Sequence, residues 1–508
     1  MITRIEIDGF KSLRDFSMDL EPFTVLVGPN GAGKSNVLDA LTLLSRLASM
    51  PIAEAFKGGR GRVFDQFART AEGPGRTIRF VIETLTVAPS DNVFDEEDVQ
   101  TRLHYELILE LQPSPAGVDR IGVKSECLQA LLSDEDEWVR SRPRWSPYAR
   151  YDHGGHTIFQ QPAAVSPTAR SRQLVELPTG VEPRTIKVPR THTALAWYPR
   201  VGPGKVLITI KNPATAAALE AIRERLNLPT LEAALTHIIS DAAIAEGFGP
   251  AEGETDLPSS RDRAEGPDEL TSNLRAELMG LRSFQLDATR LREPSERVGS
   301  DNGLASDASN LPTVLAELPS EALGALRADL VSLVPSLSSF DVVPEDESFR
   351  VDFEFSGGER RPARVVSDGT LRLLAMLTAL RAEPAPSLLG IEEPENGIYP
   401  GRLRALLELL QEMSLRPEKA TEGGQTKAPP ARPQVVLTTH SPVLLAAMHA
   451  RPECLRFLNV VRRDGRLVTH VRKVARSVKP AQAREFVSLR EVERLLDSAK
   501  TEIAEAGE

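Results

Sequence analysis

Apolar and polar residues alternate through TRIEIDGF (3–10), the pattern of a half-buried strand. PFTVLVG (22–28) is a short apolar run closed by glycine, the pattern of a buried strand. NVLDALTLLSRLAS (36–49) is apolar on nearly every face and predicts a buried helix. RTIRFVIETLTV (76–87) and LHYELILEL (103–111) alternate again and suit an antiparallel sheet. Residues 112–280 change character. Pro- and Arg-rich stretches mix with helical runs such as 214–226, and the Gly-, Pro- and acid-rich segment 245–268 reads as a mobile loop. The compact pattern resumes near 281, with helices at LPTVLAEL and ALGALRADLVSLV and a strand at FRVDFEFSG. A helix at 370–381, a strand PSLLGIEEP, a helix at 401–413 and a polar linker at 415–433 follow, then a strand PQVVLTTH and a helix PVLLAAMHA. Apolar positions 486, 489, 492, 495, 496, 499 and 503 predict an amphipathic helix over 484–504. Strands alternating with helices imply a partly parallel α/β sheet.

Composition narrows this picture. With 508 residues, 41% apolar and 26% charged, the chain is globular and long enough for several domains, or one with an insertion. The expected division is 1–111, an insertion at 112–280, 281–475, and a helical tail at 476–508. No apolar run approaches the roughly 18 residues of a membrane helix, and MITRIEIDGFKSL lacks the apolar core of a secretory signal. Cys127 and Cys454 are far apart, which argues against a disulfide framework or a cysteine-rich zinc site and fits a reducing cytoplasm.

Four stretches carry chemistry. Gly28-Pro-Asn-Gly-Ala-Gly33-Lys34-Ser35 matches a P-loop, and it follows a predicted strand and opens a predicted helix. Its glycines let backbone N–H groups face phosphate, and the helix N-terminus favours anions. Lys34 is expected on the β- and γ-phosphates and Ser35 on Mg²⁺. The apolar strand ending in Glu392 and Glu393 delivers two acids to the same edge of such a sheet. Glu392 is expected in the Mg²⁺ shell, through water, and Glu393 as the general base for the attacking water. His440, at the end of the next apolar strand, is placed to sense the γ-phosphate or the water. Ser367, in VSDGT before an apolar helix, is a plausible N-cap whose helix terminus faces an anion.

FKSL beside GPNGAGKSN, SDGT, IEEPENGIYP and TTHSP together resemble the ABC-type ATPase heads of the SMC, RecF and overcoming-lysogenization-defect group, in a predicted-ATPase branch of it. The resemblance covers roughly 1–111 and 281–475. It implies an α/β fold: an ABC-type ATPase head of mixed parallel and antiparallel sheets, here carrying a large α+β insertion. It implies ATP and Mg²⁺, with Asn30, Gly31 and Asn36 joining the P-loop contacts and Lys11 approaching the nucleotide. It implies that Ser367, Asp368 and Gly369 bind the γ-phosphate held by a second copy, with Asn396–Pro400 crossing between copies. Gln66, in FDQFAR, is the candidate glutamine of the metal site. Glu392 stands where aspartate is commoner, and Tyr399-Pro400 where His-Pro is frequent.

The net charge is −11, yet residues 139–205 hold eleven Arg and Lys against three acids. Arg140, Arg142, Arg144, Arg150, Arg170, Arg172, Arg184, Lys187 and Arg190 are interleaved with Trp145, Tyr148, Tyr151, Phe159, Trp197 and Tyr198. Such a stretch suits a DNA or RNA backbone; a solvated arginine-rich loop paired with acids elsewhere is the equal alternative. The long insertion between motifs and the lack of a membrane segment argue against a transporter ATPase. The 68 residues after His440 lack a clustered acidic set on apolar strands. The expectation is therefore a chain that does not cut nucleic acid alone, works with a separate effector such as a nuclease, and serves phage defence or DNA maintenance. An ATP-gated scaffold that hardly hydrolyses is the rival reading.

Overall fold

The computed structural model describes residues 1–70, 73–87, 100–113, 118–143, 145, 149–150, 157–161, 171–176, 184–197, 267–299, 303–382, 384–414, 433–463 and 465–505. One compact unit takes Met1–Tyr198 with Leu270–Glu508. The other, Pro199–Glu269, is described only through its last three backbone residues. The expected helix at 214–226 lies outside the described residues, as do nearly all of the 245–268 loop and the 415–433 linker.

The fold is mixed α/β, as the pattern predicts. At its centre, strands Leu281–Phe284, Leu388–Glu392, Gln434–Thr439, Phe23–Val27 and Leu455–Arg463 run parallel in that order. Strand Arg466–Ala475 then adds antiparallel, and Phe486–Ser488 closes the sheet. Phe23–Val27 and Gln434–Thr439 are buried at every position, which is why their sequences are apolar runs without alternation. The helix Lys34–Leu47 packs on this sheet, and Gly390 leaves room for it: a Cβ there would lie 2.9 Å from Leu38 Cδ2.

Among the described residues the second sheet is largely antiparallel and has nine strands. Ile2–Asp8, Thr77–Val87, Gln100–Gln112 and Arg120–Ala130 stand side by side within it. Thr157–Gln160, Ser171–Glu176 and Arg184–Pro189 extend it further. This corrects the expected break at 111/112. The long strand Gln100–Gln112 runs across that position and pairs residue by residue with Arg120–Ala130, so the chain to 198 belongs to the ATPase unit. The break at 280/281 moves too, because Leu270, Leu274 and Leu278 of helix Pro267–Met279 are buried in the same core as Ile5 and Leu41. The tail is likewise part of the fold: Phe486–Ser488 is a strand, and the terminal helix begins at Leu489 with Leu489, Val492 and Leu496 in the core.

A third sheet of four strands, built on Leu337–Pro344 and Ser348–Phe355, carries the approach to the helix Asp368–Ala379. Among the described residues no helix is long and apolar enough to cross a membrane.

Candidate functional site

Sheet register explains why residues from both ends of the sequence meet. Thr439 pairs with Val27, and Glu392 pairs with Thr438 on the other side of the same strand. Adjacent strands are about 4.8 Å apart, so Gly28, Glu393 and His440 leave three neighbouring strand ends at one edge, the crevice where open α/β sheets bind ligands. Gly28 N–H donates to Thr439 O at 3.2 Å, and Glu393 N–H donates to Thr438 O at 3.0 Å.

The P-loop is shaped by close approach. A Cβ on Gly28 would lie 2.1 Å from Leu458 O. Gly33, the N-cap of the P-loop helix, has φ +93°, and a Cβ there would meet Thr469 Oγ1 at 2.0 Å. Asn30 and Gly31 are exposed at the tip. Lys34 is buried and donates to the carbonyls of Gly28 and Pro29 at 2.7 and 2.9 Å. Burial lowers its pKa below the usual lysine value, and the nearby Glu393, Glu395 and Glu392 only partly offset that. Ser35 Oγ donates to Glu392 Oε2 at 3.0 Å, across 357 positions of sequence. A hydroxyl and a carboxylate are the hard oxygen donors that Mg²⁺ takes, directly or through its retained waters, so the chemistry of this pair suits that metal.

Glu393 sits at φ +46°, a left-handed conformation that costs a non-glycine residue about 1–2 kcal/mol. Such strain clusters at functional sites. Its Oε2 accepts from Asn396 Nδ2 at 2.9 Å, and its Oε1 lies 2.8 Å from His440 Nδ1. Burial pushes its pKa up, but the Asn396 bond, His440 and Lys34 outweigh this and hold it below the usual glutamate value.

Other expected residues fall around this core. Lys11 turns its ammonium to Asp39 Oδ2 at 2.6 Å. Asn36 Nδ2 donates to Ser12 Oγ at 2.8 Å. Gln66 is buried and lines a cavity of about 150 Å³ with Asp39, Arg60 and Glu392, and its amide nitrogen donates to Phe56 O at 2.8 Å. Sequence reasoning missed Arg60, whose guanidinium bridges Asp39 and Glu392. It also missed Arg292, which binds Asp368 and the carbonyl of Val366. The arginine in GGRGR carries no local signal, because its partner lies more than three hundred positions away.

Ser367 is the N-cap of its helix: Oγ accepts from Thr370 N–H at 3.4 Å and lies 2.8 Å from Thr370 Oγ1. Ser367 and Asp368 are exposed. Gly369 packs on the loop after the acids, where a Cβ would lie 2.2 Å from Gly397 O.

The basic stretch changes most. Trp145 and Phe159 are 0% and 1% exposed, so neither offers a stacking face to a base. Trp145 pairs with Trp138 at 5.9 Å between ring centroids, and Arg142 lies over Trp138 while donating to Glu21 Oε1 at 2.7 Å. Arg140 and Lys187 are exposed, and Arg190 is half-buried. Arg144, Arg170, Tyr148, Tyr151 and Tyr198 lie outside the described residues, as do the side chains of Arg150, Arg172, Arg184 and Trp197.

Residues 1–108 match the family described as "AAA ATPase domain", and residues 255–446 match that described as "AAA domain, putative AbiEii toxin, Type IV TA system". The chain is similar to the OLD nuclease of Thermus scotoductus, 43% identical over 44 residues, covering 9% of this chain and 8% of that protein. It is similar to the chromosome partition protein Smc of Methanocaldococcus jannaschii, 49% identical over 41 residues, covering 8% of this chain and 4% of that protein. The chain thus matches 8% and 4% of the length of these relatives. A solved Smc head bound to the C-winged helix domain of ScpA aligns at a TM-score of 0.42 and 14% identity, over 93% of this chain and 98% of that one. The two ATPase-domain matches fall on the two stretches that the central sheet joins, and with the two relatives they support an ABC-type ATPase of the SMC, RecF and overcoming-lysogenization-defect group.

Proposed function

We propose that the chain hydrolyses ATP with Mg²⁺ as a head-to-tail pair of copies. The observation that carries this reading is one sheet edge holding Lys34, the Ser35–Glu392 pair at 3.0 Å and the Glu393–His440 pair at 2.8 Å. Bound Mg²⁺ neutralises charge on the phosphate oxygens. Ser35 and Glu392 would hold it, and Lys34 would be the cation for the β- and γ-phosphates. Glu393, kept ionised by Asn396 and His440, orients the attacking water and accepts its proton. Ser367 and Asp368, with the buried Gly369 behind them, present a helix N-terminus to the partner's nucleotide, where the helix dipole favours the γ-phosphate.

Phosphate release by the full chain, with Glu393→Gln beside it, tests this. Wild type turns over, and Glu393→Gln loses turnover while accumulating a nucleotide-bound pair in light scattering. No release from wild type above a protein-free control would sink the reading. The ATP-gated scaffold draws support from Arg60, which already neutralises Glu392. A scaffold shows negligible release from both forms while ATP still drives pairing.

The pair is further proposed to switch a nucleic-acid complex with a separate effector, in phage defence or DNA maintenance. Among the described residues of the basic stretch, Arg140 and Lys187 are exposed cations that support a phosphate contact. DNA affinity that does not fall as salt rises argues against it.

A further inference from the structure

Three carboxyl groups follow Ile391, and the mechanism above uses two of them. The third, Glu395, lies in the loop that carries Asn396 and Gly397. Its Oε1 accepts a hydrogen bond from Thr439 Oγ1. Its Oε2 is buried and has no hydrogen-bond partner among the described residues. Burial raises its pKa above the usual glutamate value, the charge of Glu393 adds to this, and the Thr439 bond opposes it. A buried polar atom without a partner is costly, so a role for this side chain has to be sought in what it holds.

Thr439 is bonded in three directions. Its carbonyl accepts from Gly28 N–H at 3.2 Å, at the start of the P-loop. Its hydroxyl accepts from Ser441 N–H at 2.9 Å while donating to Glu395. The residues on either side of His440 are therefore tied through one hydroxyl. His440 meets Glu393, Glu393 meets Asn396, and Asn396 is the chain neighbour of Glu395. The result is a closed ring: Glu395 to Thr439, along the chain to His440, across to Glu393, across to Asn396, and along the chain to Glu395.

We propose that Glu395 is a positioning residue. By holding the Thr439 hydroxyl it fixes the 439–441 turn so that His440 stays against Glu393 and Glu393 stays aimed at the water site. Glu395 touches no reacting atom and acts through Thr439. The catalytic part of this inference rests on the hydrolytic reading; the ring geometry does not.

The test uses the full chain with ring-¹³C histidine, the His440 signal being assigned with His440→Asn. Glu395→Ala and Thr439→Val each move that signal, and the double variant moves it no further, because both open the same ring. Glu395→Gln restores the wild-type position, since an amide oxygen accepts the threonine proton as well as a carboxyl oxygen does. In turnover, Glu395→Ala lowers kcat about 10–100-fold, the scale of a small misplacement of a catalytic group. Its nucleotide Kd stays within about twofold of wild type. An unmoved His440 signal in Glu395→Ala overturns the proposal, and so do shifts that add in the double variant or a Kd loss as large as the kcat loss. If Glu395→Ala does not fold, Thr439→Val carries the same comparison. If wild type shows no turnover, the hydrolytic reading fails and the His440 signal still decides the ring.

Discussion

Two helix N-termini carry the proposed chemistry, and they are finished in opposite ways. At the P-loop helix the functional side chains are bound within the chain: Lys34 is 6% exposed and sits on two carbonyls, and Ser35 sits on Glu392. At the helix Asp368–Ala379 the end is open. Ser367 and Asp368 are exposed, Val365 beside them is 59% exposed, and Tyr399, in the loop that packs on Gly369, is 72% exposed. The P-loop corner is closed by contacts within the chain, whereas the Ser367 corner is left open, as the proposed pairing of copies requires.

The largest expected effect breaks the complete corner. Glu393→Gln lowers kcat by about 10²–10⁴ with nucleotide affinity retained, measured by phosphate release and by binding of a fluorescent ATP analogue. The depressed pKa adds a pH arm. Glu393 must be ionised to act, so the acid limb of kcat falls below the ordinary glutamate value of 4.5. The same sign holds for stability: the contribution of Glu393 is present above 4.5 and is lost as pH falls through its folded pKa.

The next effect breaks only the open corner. Ser367→Arg puts a large cation at an exposed helix end, where the dipole already disfavours positive charge. Pairing in light scattering and turnover both fall, turnover by about 100-fold if the partner's donors act as an oxyanion-type clamp. Nucleotide affinity of the single chain stays within about twofold. If affinity fell as far as turnover, Ser367 would be part of the same chain's pocket and the contrast between corners would fail. A smaller effect joins the corners: Gly369→Ala drives a methyl to within 2.2 Å of Gly397 O. It should cost about 1–3 kcal/mol, read as a lower midpoint in denaturant.

What the sequence shows follows the same divide between local and long-range causes. The buried strands Phe23–Val27, Leu388–Glu392 and Gln434–Thr439 are legible because burial on both faces writes itself as an apolar run, and each ends in the residues that matter. Ser367 is legible as a cap because capping acts within four residues. The strands Thr157–Gln160, Ser171–Glu176 and Arg184–Pro189 are not legible, since they are only 4, 6 and 6 residues long and polar or arginine residues fill much of each. The hairpin Leu455–Ala475 is missed for a related reason: the buried Arg456 interrupts its apolar inner end, and Arg462, Arg463 and Arg466 make its outer end polar. Trp145 reads as an exposed aromatic among cations. Only the fold shows that Arg142 lies over Trp138, the ring against which Trp145 is buried.

The smallest effect sharpens the comparison from the complete side. The folded chain holds Lys34 below the ordinary lysine pKa of 10.5, because burial strips water from its ammonium and the three glutamates restore only part of that loss. The unfolded chain then binds this proton more tightly than the folded chain. Stability is reduced wherever Lys34 is charged, and the reduction fades as pH rises from its folded pKa toward 10.5. Lys34→Met removes the charge and keeps an apolar stem of similar length. Its Tm without nucleotide should rise by about 1–2 °C at pH 7, the gain should narrow at pH 10, and MgATP should no longer raise Tm. A lower Tm instead would mean that the hydrogen bonds to Gly28 and Pro29 are worth more than burial costs. The P-loop corner would then be built for its empty shape as much as for a phosphate.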